Sequence, residues 1–234
     1  MSARAFFIAG TDTGVGKTRV TAALLAAGHA MGLSVAGMKP VASGAELIAG
    51  RMASTDALQL AEASQQITRY EDLNPYCLEV AVSPHIAAKL AKIEIDIPKI
   101  AAISQRLGAA AELLLIEGAG GWYTPISERE SMADLARALA CPVVLVVGLK
   151  LGCLNHARLS LEAIRRGGCP FAGWIGNHTE ADFMAEAENL ITLTEILGGA
   201  PLGLLPHSLS SESDGKHMHD ALLHLLASRQ QQIT

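Results

Sequence analysis

Aromatic residues are scarce in this chain. Phe, Tyr and Trp supply 4% of its 234 residues while half of the residues are hydrophobic, so a core has to be mostly aliphatic. Side chains of that kind suit helices packed on a buried parallel sheet. No run of Lys or Arg occurs and the formal net charge is −5, which argues against nucleic acid or an anionic membrane as the main partner. Cysteine is sparse too. Cys77, Cys141, Cys153 and Cys169 have no C-x-x-C spacing and no disulfide framework, so they read as buried or incidental thiols of a reducing cytosol. No apolar stretch approaches the roughly 20 residues of a membrane span. The apolar run in MSARAFFIAG is too short for a signal peptide. The expectation is a soluble, cytoplasmic protein. With no repeat, low-complexity tract or linker, residues 1–234 are expected to form one domain.

What the chain does contain is alternation. Short aliphatic runs at 5–10, 34–40, 112–118, 142–148, 171–177 and 202–206 are bounded by Gly or Pro. They lack period-2 patterning, as strands covered on both faces do. Helical patterns lie between them, near 17–32, 55–66, 98–111, 131–140, 154–167 and 182–198, with another at 214–228. Strand–helix alternation of this kind predicts an α/β fold with a doubly wound, mostly parallel sheet. Ligands of such sheets bind outside the carboxyl ends of the strands.

The first strand end carries GTDTGVGKT, Gly10 to Thr18. The phosphate-loop signature G-x-x-x-x-G-K-[ST] would put its first glycine at position 11, but Thr11 stands there and the glycine is Gly10. The strand–loop–helix context is otherwise right. Gly14 and Gly16 permit positive φ and close backbone approach, Lys17 can reach the β- and γ-phosphates, and the Thr18 hydroxyl can ligate Mg²⁺. A glycine turn with an exposed lysine is the alternative.

Two further strand ends add chemistry. Lys39 follows the second run directly, and Pro40 keeps it out of a helix. On its own it reads as a solvated lysine at a strand end, while beside a phosphate loop it would face the same crevice. Glu117 ends the run Leu113–Ile116 ahead of Gly118, Gly120 and Gly121, a place for a Mg²⁺ ligand or for an ion-paired carboxylate. In isolation Asp56 reads as part of a helix start, and capping is its stronger role. The eight histidines show no zinc spacing.

Six stretches together resemble the dethiobiotin synthetase family: GTDTGVGKT, GMKPVASG, NPY with SPH (Asn74–Tyr76, Ser83–His85), EGAGGWYTPIS, VVGLKLGCLNHA and GWIGN. They occur in the family's order across nearly the whole chain, and the family's loop carries the same displaced glycine. The resemblance implies a homodimeric P-loop α/β enzyme that closes a cyclic urea on 7,8-diaminopelargonic acid with CO₂, ATP and Mg²⁺. A substrate amine becomes a carbamate, ATP phosphorylates it, and the second amine displaces phosphate.

Carried onto this chain, the resemblance implies that Gly14, Val15, Gly16, Lys17, Thr18 and Arg19 line the nucleotide. Gly118, Ala119 and Gly120 follow from the third strand end, Asn177 reads the adenine, and Pro206 is a further nucleotide contact. Mg²⁺ falls to Thr18, Asp56 and Glu117. Lys39 and Lys17 are the catalytic pair, and Thr13 and Ser43 contact substrate. Leu154 and Asn155 grip the substrate carboxylate from the partner subunit, whereas composition alone makes Asn155 a cap of its own helix. Some family members carry an acidic residue where this chain has Gly14, so contacts there are expected from the backbone. The divergent stretch after Pro206 offers only Glu212 as a ribose contact. Two rivals remain. A partitioning-type ATPase carries a second lysine early in the loop, where this chain has Asp12, and a GTPase carries an N-K-x-D sequence that does not occur here.

Overall fold

The computed structural model describes residues 4–64, 69–207 and 211–228, with residues 211–213 and 228 described by backbone alone. In chain order its elements are β1 (Arg4–Gly10), α1 (Lys17–Ala30), β2 (Val35–Met38), β3 (Val41–Ser43), β4 (Glu46–Ile48), β5 (Arg51–Ala53), α2 (Thr55–Ser64), α3 (Tyr70–Leu73), β6 (Tyr76–Leu78) and α4 (Pro84–Ala91). There follow α5 (Ile97–Ala110), β7 (Leu113–Glu117), α6 (Met132–Leu139), β8 (Val143–Leu149), α7 (Cys153–Arg166), β9 (Phe171–His178), α8 (Glu186–Leu197), β10 (Gly203–Leu205), α9 (Ser211–His217) and α10 (His219–Ser228).

The six aliphatic runs form one sheet in the order β10-β9-β8-β1-β7-β2. Every pairing in it is parallel. From β1 the chain first works to one side, through β2 and β7, and then crosses to β8, β9 and β10. The direction of winding therefore reverses at β1, and the loop after β1 opens into the crevice that such a reversal creates.

Alternate residues of one strand enter different cores, which is why no period-2 pattern appears in the sequence. Phe7, Ala9, Leu114, Ile116, Val143, Leu145 and Val147 pack on the face that also buries Ile100, Leu135, Leu161 and Leu193 from α5, α6, α7 and α8. Phe6, Ile8, Leu113, Leu115, Val144 and Val146 pack with Val20, Leu24, Leu60 and Leu222 from α1, α2 and α10 on the other face. Both faces are apolar, so nearly every residue along the middle of a central strand is aliphatic or aromatic.

The structure adds pieces that the sequence reading missed. Residues 41–53 form the short strands β3, β4 and β5, with β3 pairing parallel to β6 and β4 antiparallel to β5. They are three residues long, too short to show a pattern. Helix α4 begins at Pro84, whose ring suits a first helical position. The helix expected at 214–228 is two, α9 and α10, parted at Met218. Residues 65–66, the end of the helix expected at 55–66, lie outside the described residues, and so does the side chain of Glu212.

Candidate active site

The loop after β1 is held open by what Gly10 lacks. A Cβ at this position would come 2.8 Å from Lys17 Nζ and 2.9 Å from Val15 Cγ2, so the missing methyl lets Lys17 fold back across the strand end. That is the physical role of the displaced glycine. Gly16, with φ 90°, is the N-cap of α1, and no side chain caps the helix. The first N–H groups of α1 therefore lack helical partners at the end where the helix dipole is positive, an arrangement that receives phosphate.

Around this loop lies a cavity of about 380 Å³ lined by Thr13, Gly14, Gly16, Lys17, Thr18, Lys39, Ser43, Asp56, Glu117, Ala119 and Gly120, with Ala42. Most of the expected site residues thus converge. Four charged groups form its centre. Lys39 Nζ donates to Glu117 Oε1 at 2.5 Å and lies 2.9 Å from Asp56 Oδ2. The Thr18 hydroxyl donates to the same Glu117 oxygen at 2.8 Å. Lys17 Nζ donates to the carbonyls of Gly120 at 2.7 Å and Asp12 at 2.9 Å.

Glu117 is wholly buried and Lys39 is 4% exposed, so this is an interior ion pair and not a solvated lysine at a strand end. Removing one partner of such a pair typically costs about 3–5 kcal/mol, because the other charge is left without water. Asp56 sits in the first turn of α2, but its carboxylate faces Lys39, so the capping role favoured by composition gives way to the ion pair.

The two lysines are driven in opposite directions. Burial lowers Lys17, repulsion from Lys39 adds to it, and its pKa falls to about 8. Burial disfavours the charged form of Lys39 as well, but Glu117 and then Asp56 outweigh it and hold this ammonium above the ordinary lysine value. Burial likewise opposes ionisation of Asp56, and Lys39 reverses the balance and keeps the carboxylate below its usual range.

The NPY stretch explains itself through Lys39. Asn74, 2% exposed, donates from Nδ2 to the Lys39 carbonyl at 2.7 Å, and Lys39 N donates to the Leu73 carbonyl at 2.8 Å. Asn74 Oδ1 accepts from the Tyr70 hydroxyl at 3.1 Å. In the SPH stretch Ser83 is the N-cap of α4, and His85 N reaches the Pro125 carbonyl at 3.3 Å.

The remaining expected residues lie elsewhere. Gly118 adjoins the centre only through its carbonyl, 3.5 Å from Lys39 Nζ. Val15 turns its buried side chain toward Gly10 and Gly148. Arg19, Asn177 and Pro206 form a second cluster at the start of α1, and with them stands Asp214, which the sequence reading missed. Its segment is polar and divergent, so no signal set it apart. Leu154 and Asn155 open α7, away from the cavity lining. The N-cap of α7 is Gly152, with no side-chain cap, so Asn155 does not cap its own helix. The four cysteines carry no disulfide, and three are buried.

A family model described as an AAA domain matches residues 4–213. An ATP-dependent dethiobiotin synthetase BioD from Aromatoleum aromaticum is 48% identical over 204 residues, 87% of this chain and 91% of that protein. The protein of the same name from Cellvibrio japonicus is 42% identical over 226 residues, 97% and 99% of the two chains. Among solved structures, the MinC:MinD cell division protein complex of Aquifex aeolicus matches with a TM-score of 0.62 at 15% identity, over 96% of each chain. A ParA family ATPase from Chlorobium tepidum matches with 0.61 at 13% identity, over 95% of this chain and 100% of that one. At such identities the likeness is one of fold: a P-loop nucleotide-binding sheet. The agreement with the curated relatives extends over nearly the full length, and the chain belongs to the ATP-dependent dethiobiotin synthetase family, ligases of biotin biosynthesis.

Proposed function

We propose that the chain closes the cyclic urea of dethiobiotin on 7,8-diaminopelargonic acid, with CO₂ and ATP, by way of a carbamate and its phosphorylated form. The observation that carries this reading is the Lys17–Lys39–Glu117–Asp56 centre, buried except at Asp56, which shares one cavity with the phosphate-type loop and with Thr13 and Ser43. A carbamate approaching a γ-phosphate brings two anions together, so two lysines at one spot are the groups this reaction needs. Lys17, rising from the loop, neutralises the β- and γ-phosphates. Lys39 faces the side where Ser43 and Thr13 hold the diamine. No general base is required, because a carbamate oxygen is already nucleophilic.

The residues present fit Mg²⁺. Glu117 Oε2 is buried with no hydrogen-bond partner, and the Thr18 hydroxyl and Asp56 carboxylate belong to the same cluster through Glu117 Oε1 and Lys39 Nζ. Among the described residues no three His, Cys, Asp or Glu side chains gather as a metal cage. Mg²⁺ does not need one, since it keeps several waters and uses one or two carboxylates plus substrate phosphates. Bound there, it would screen the triphosphate charge. Asn177 and the Pro206 carbonyl would read the adenine, with Gly14, Val15, Gly16, Arg19 and Gly118–Gly120 framing the nucleotide.

We further propose a homodimer in which Leu154 and Asn155 of one subunit receive the substrate carboxylate of the other. The described residues build their two cores on the faces of one sheet, which supports reading the chain as one domain. No helix among them is long and apolar enough to cross a membrane, and a cytoplasmic location is the accompanying reading. The test is ATP hydrolysis with and without 7,8-diaminopelargonate and bicarbonate, with dethiobiotin followed by mass spectrometry. ATP turnover that ignores both additions would sink the reading and favour a partner-regulated ATPase.

A further inference from the structure

Arg19, on the first turn of α1, ties three distant segments together. Its Nε and Nη2 donate to the two carboxylate oxygens of Asp214 at 2.6 and 2.8 Å. Its Nη1 donates to Asn177 Oδ1 at 3.0 Å and to the Pro206 carbonyl at 2.9 Å. Asp214 is 3% exposed and Asn177 4%, so neither position is a matter of solvent chance. On its other side Asn177 Nδ2 donates to the Val15 carbonyl at 3.0 Å. The fit there is close: a Cβ on Gly16 would lie 2.2 Å from that nitrogen.

A carboxamide has no preferred face of its own, since oxygen and nitrogen exchange places on a half-turn and only the surrounding bonds decide between them. Here they decide completely. A guanidinium only donates and a carbonyl only accepts, so Asn177 Oδ1 must face Arg19 and Nδ2 must face Val15. The amide then retains one N–H and one lone pair, in fixed order. Adenine presents an acceptor at N7 beside a donor at N6, which matches that pair, while guanine presents acceptors at both N7 and O6. The Pro206 carbonyl, held by the same Nη1, is a second acceptor suited to an exocyclic amine.

We propose that Arg19 sets the nucleobase selectivity of this site: it is a positioning residue that locks the Asn177 amide and the Pro206 carbonyl in the orientation that accepts adenine and rejects guanine. It touches no reacting atom, and its fork geometry is what holds Asp214 and Asn177 at once. The inference rests on the ATP reading above, but its test does not require the ring closure.

The experiment compares the affinities of Mg²⁺-ATP and Mg²⁺-GTP by displacement of a fluorescent nucleotide, in the full chain. Arg19→Met leaves the Asp214 charge buried and alone, so Arg19→Met/Asp214→Asn is measured beside it, with Tm recorded for both. A well-made bidentate base contact discriminates about 5- to 150-fold. The unaltered protein is expected to favour ATP within or above that range, and both variants to lose most of the preference. Arg19→Lys is not expected to restore it, because a single ammonium cannot span both partners. Equal weakening of ATP and GTP would reduce Arg19 to a structural brace and overturn the proposal. So would no ATP preference in the unaltered protein, an unchanged ratio in a folded variant, or full rescue by Arg19→Lys. A clear, Arg19-dependent ATP preference without dethiobiotin formation would leave this inference standing and remove the ring-closing function.

Discussion

Two places on the same edge of the sheet differ in how finished they are. The cavity at the end of β1 is closed on itself: Lys17, Lys39 and Glu117 are all buried, and each ammonium has oxygen partners within hydrogen-bond reach. The start of α7, beyond β8, is open. Leu151 is 97% exposed, Asn155 is exposed, and the helix begins at Gly152 without a side-chain cap. In the proposed reaction, charge at the reacting end of the substrate would be handled within one chain, since buried ions cannot be left for a partner to neutralise without a large penalty. An exposed helix start carries no such penalty and can wait for a second subunit. The difference fits the proposal that the catalytic half of the site is complete within one chain and that the substrate-gripping half is shared with a second subunit.

The most forceful way to break this comparison is Lys17→Ala. Loss of one preorganised donor at a developing charge is worth on the order of 10²–10³ in rate, and kcat should fall by that much while the circular dichroism spectrum stays native. Near-normal turnover would remove the phosphate-loop assignment and with it the autonomous half.

Asn155→Ala probes the open half and should leave ATP affinity in place. A charged hydrogen bond is worth about 1.5–3 kcal/mol, so KM for the diamine should rise about 10- to 150-fold. Mixing Lys17→Ala with Asn155→Ala subunits sharpens the point, because one site of the mixed dimer has both parts intact. Recovery of activity on mixing is expected. None, despite subunit exchange verified by mass spectrometry, would place the carboxylate grip within a single chain.

The two carboxylates make a smaller contrast inside the closed half. Glu117→Gln and Asp56→Asn are each expected to cost at least about tenfold in Mg²⁺-dependent turnover, or 1.4 kcal/mol, and to recover partly at raised Mg²⁺. Only Glu117→Gln should also lower Tm, because it alone strips a buried partner from Lys39 while Asp56 is 43% exposed. Turnover in both variants that ignores Mg²⁺ concentration would rule out the metal assignment.

The gentlest effect comes from pH. Lys17 carries its proton below its pKa of about 8 and loses it above, so the positive charge offered to a triphosphate fades as pH rises through that value. ATP affinity should therefore weaken above pH 8, by at most about tenfold per unit, and binding there should take up a proton. Calorimetry at pH 9 in buffers of different ionisation enthalpy measures that uptake. An equal uptake by Lys17→Ala would assign it to another group.

Much of this was legible before any coordinates. All six strands of the sheet announced themselves as aliphatic runs, since burial on both faces favours apolar residues at nearly every position between their ends. The loop, Lys39 and Glu117 were legible because each stands at the carboxyl end of such a run. Asp56 was ambiguous because the first turn of a helix welcomes a carboxylate whether or not anything lies opposite. Asp214 was invisible: a buried ion pair between residues 19 and 214 leaves no local periodicity, and its neighbours are polar. The strands β3 to β6 went unseen for want of length.

The order of the sheet has a consequence for the making of the protein. Strand β1 is synthesised before every other described element, yet its neighbours are β7 and β8, so Phe7 pairs with Ile116 on one side and Val143 on the other. At about 5–20 residues per second, the ribosome needs roughly 7–28 s to travel from Gly10 to Leu149. Until β7 is made the central strand has no partner on either edge, and until Leu149 the β8 strand end is missing from the loop's surroundings. The emerging chain therefore carries an apolar central strand without its partners until those later strands are made. Nucleotide capture can begin only once about two-thirds of the polypeptide has been translated, which makes nucleotide binding by stalled nascent chains of graded length a direct clock for when the sheet closes.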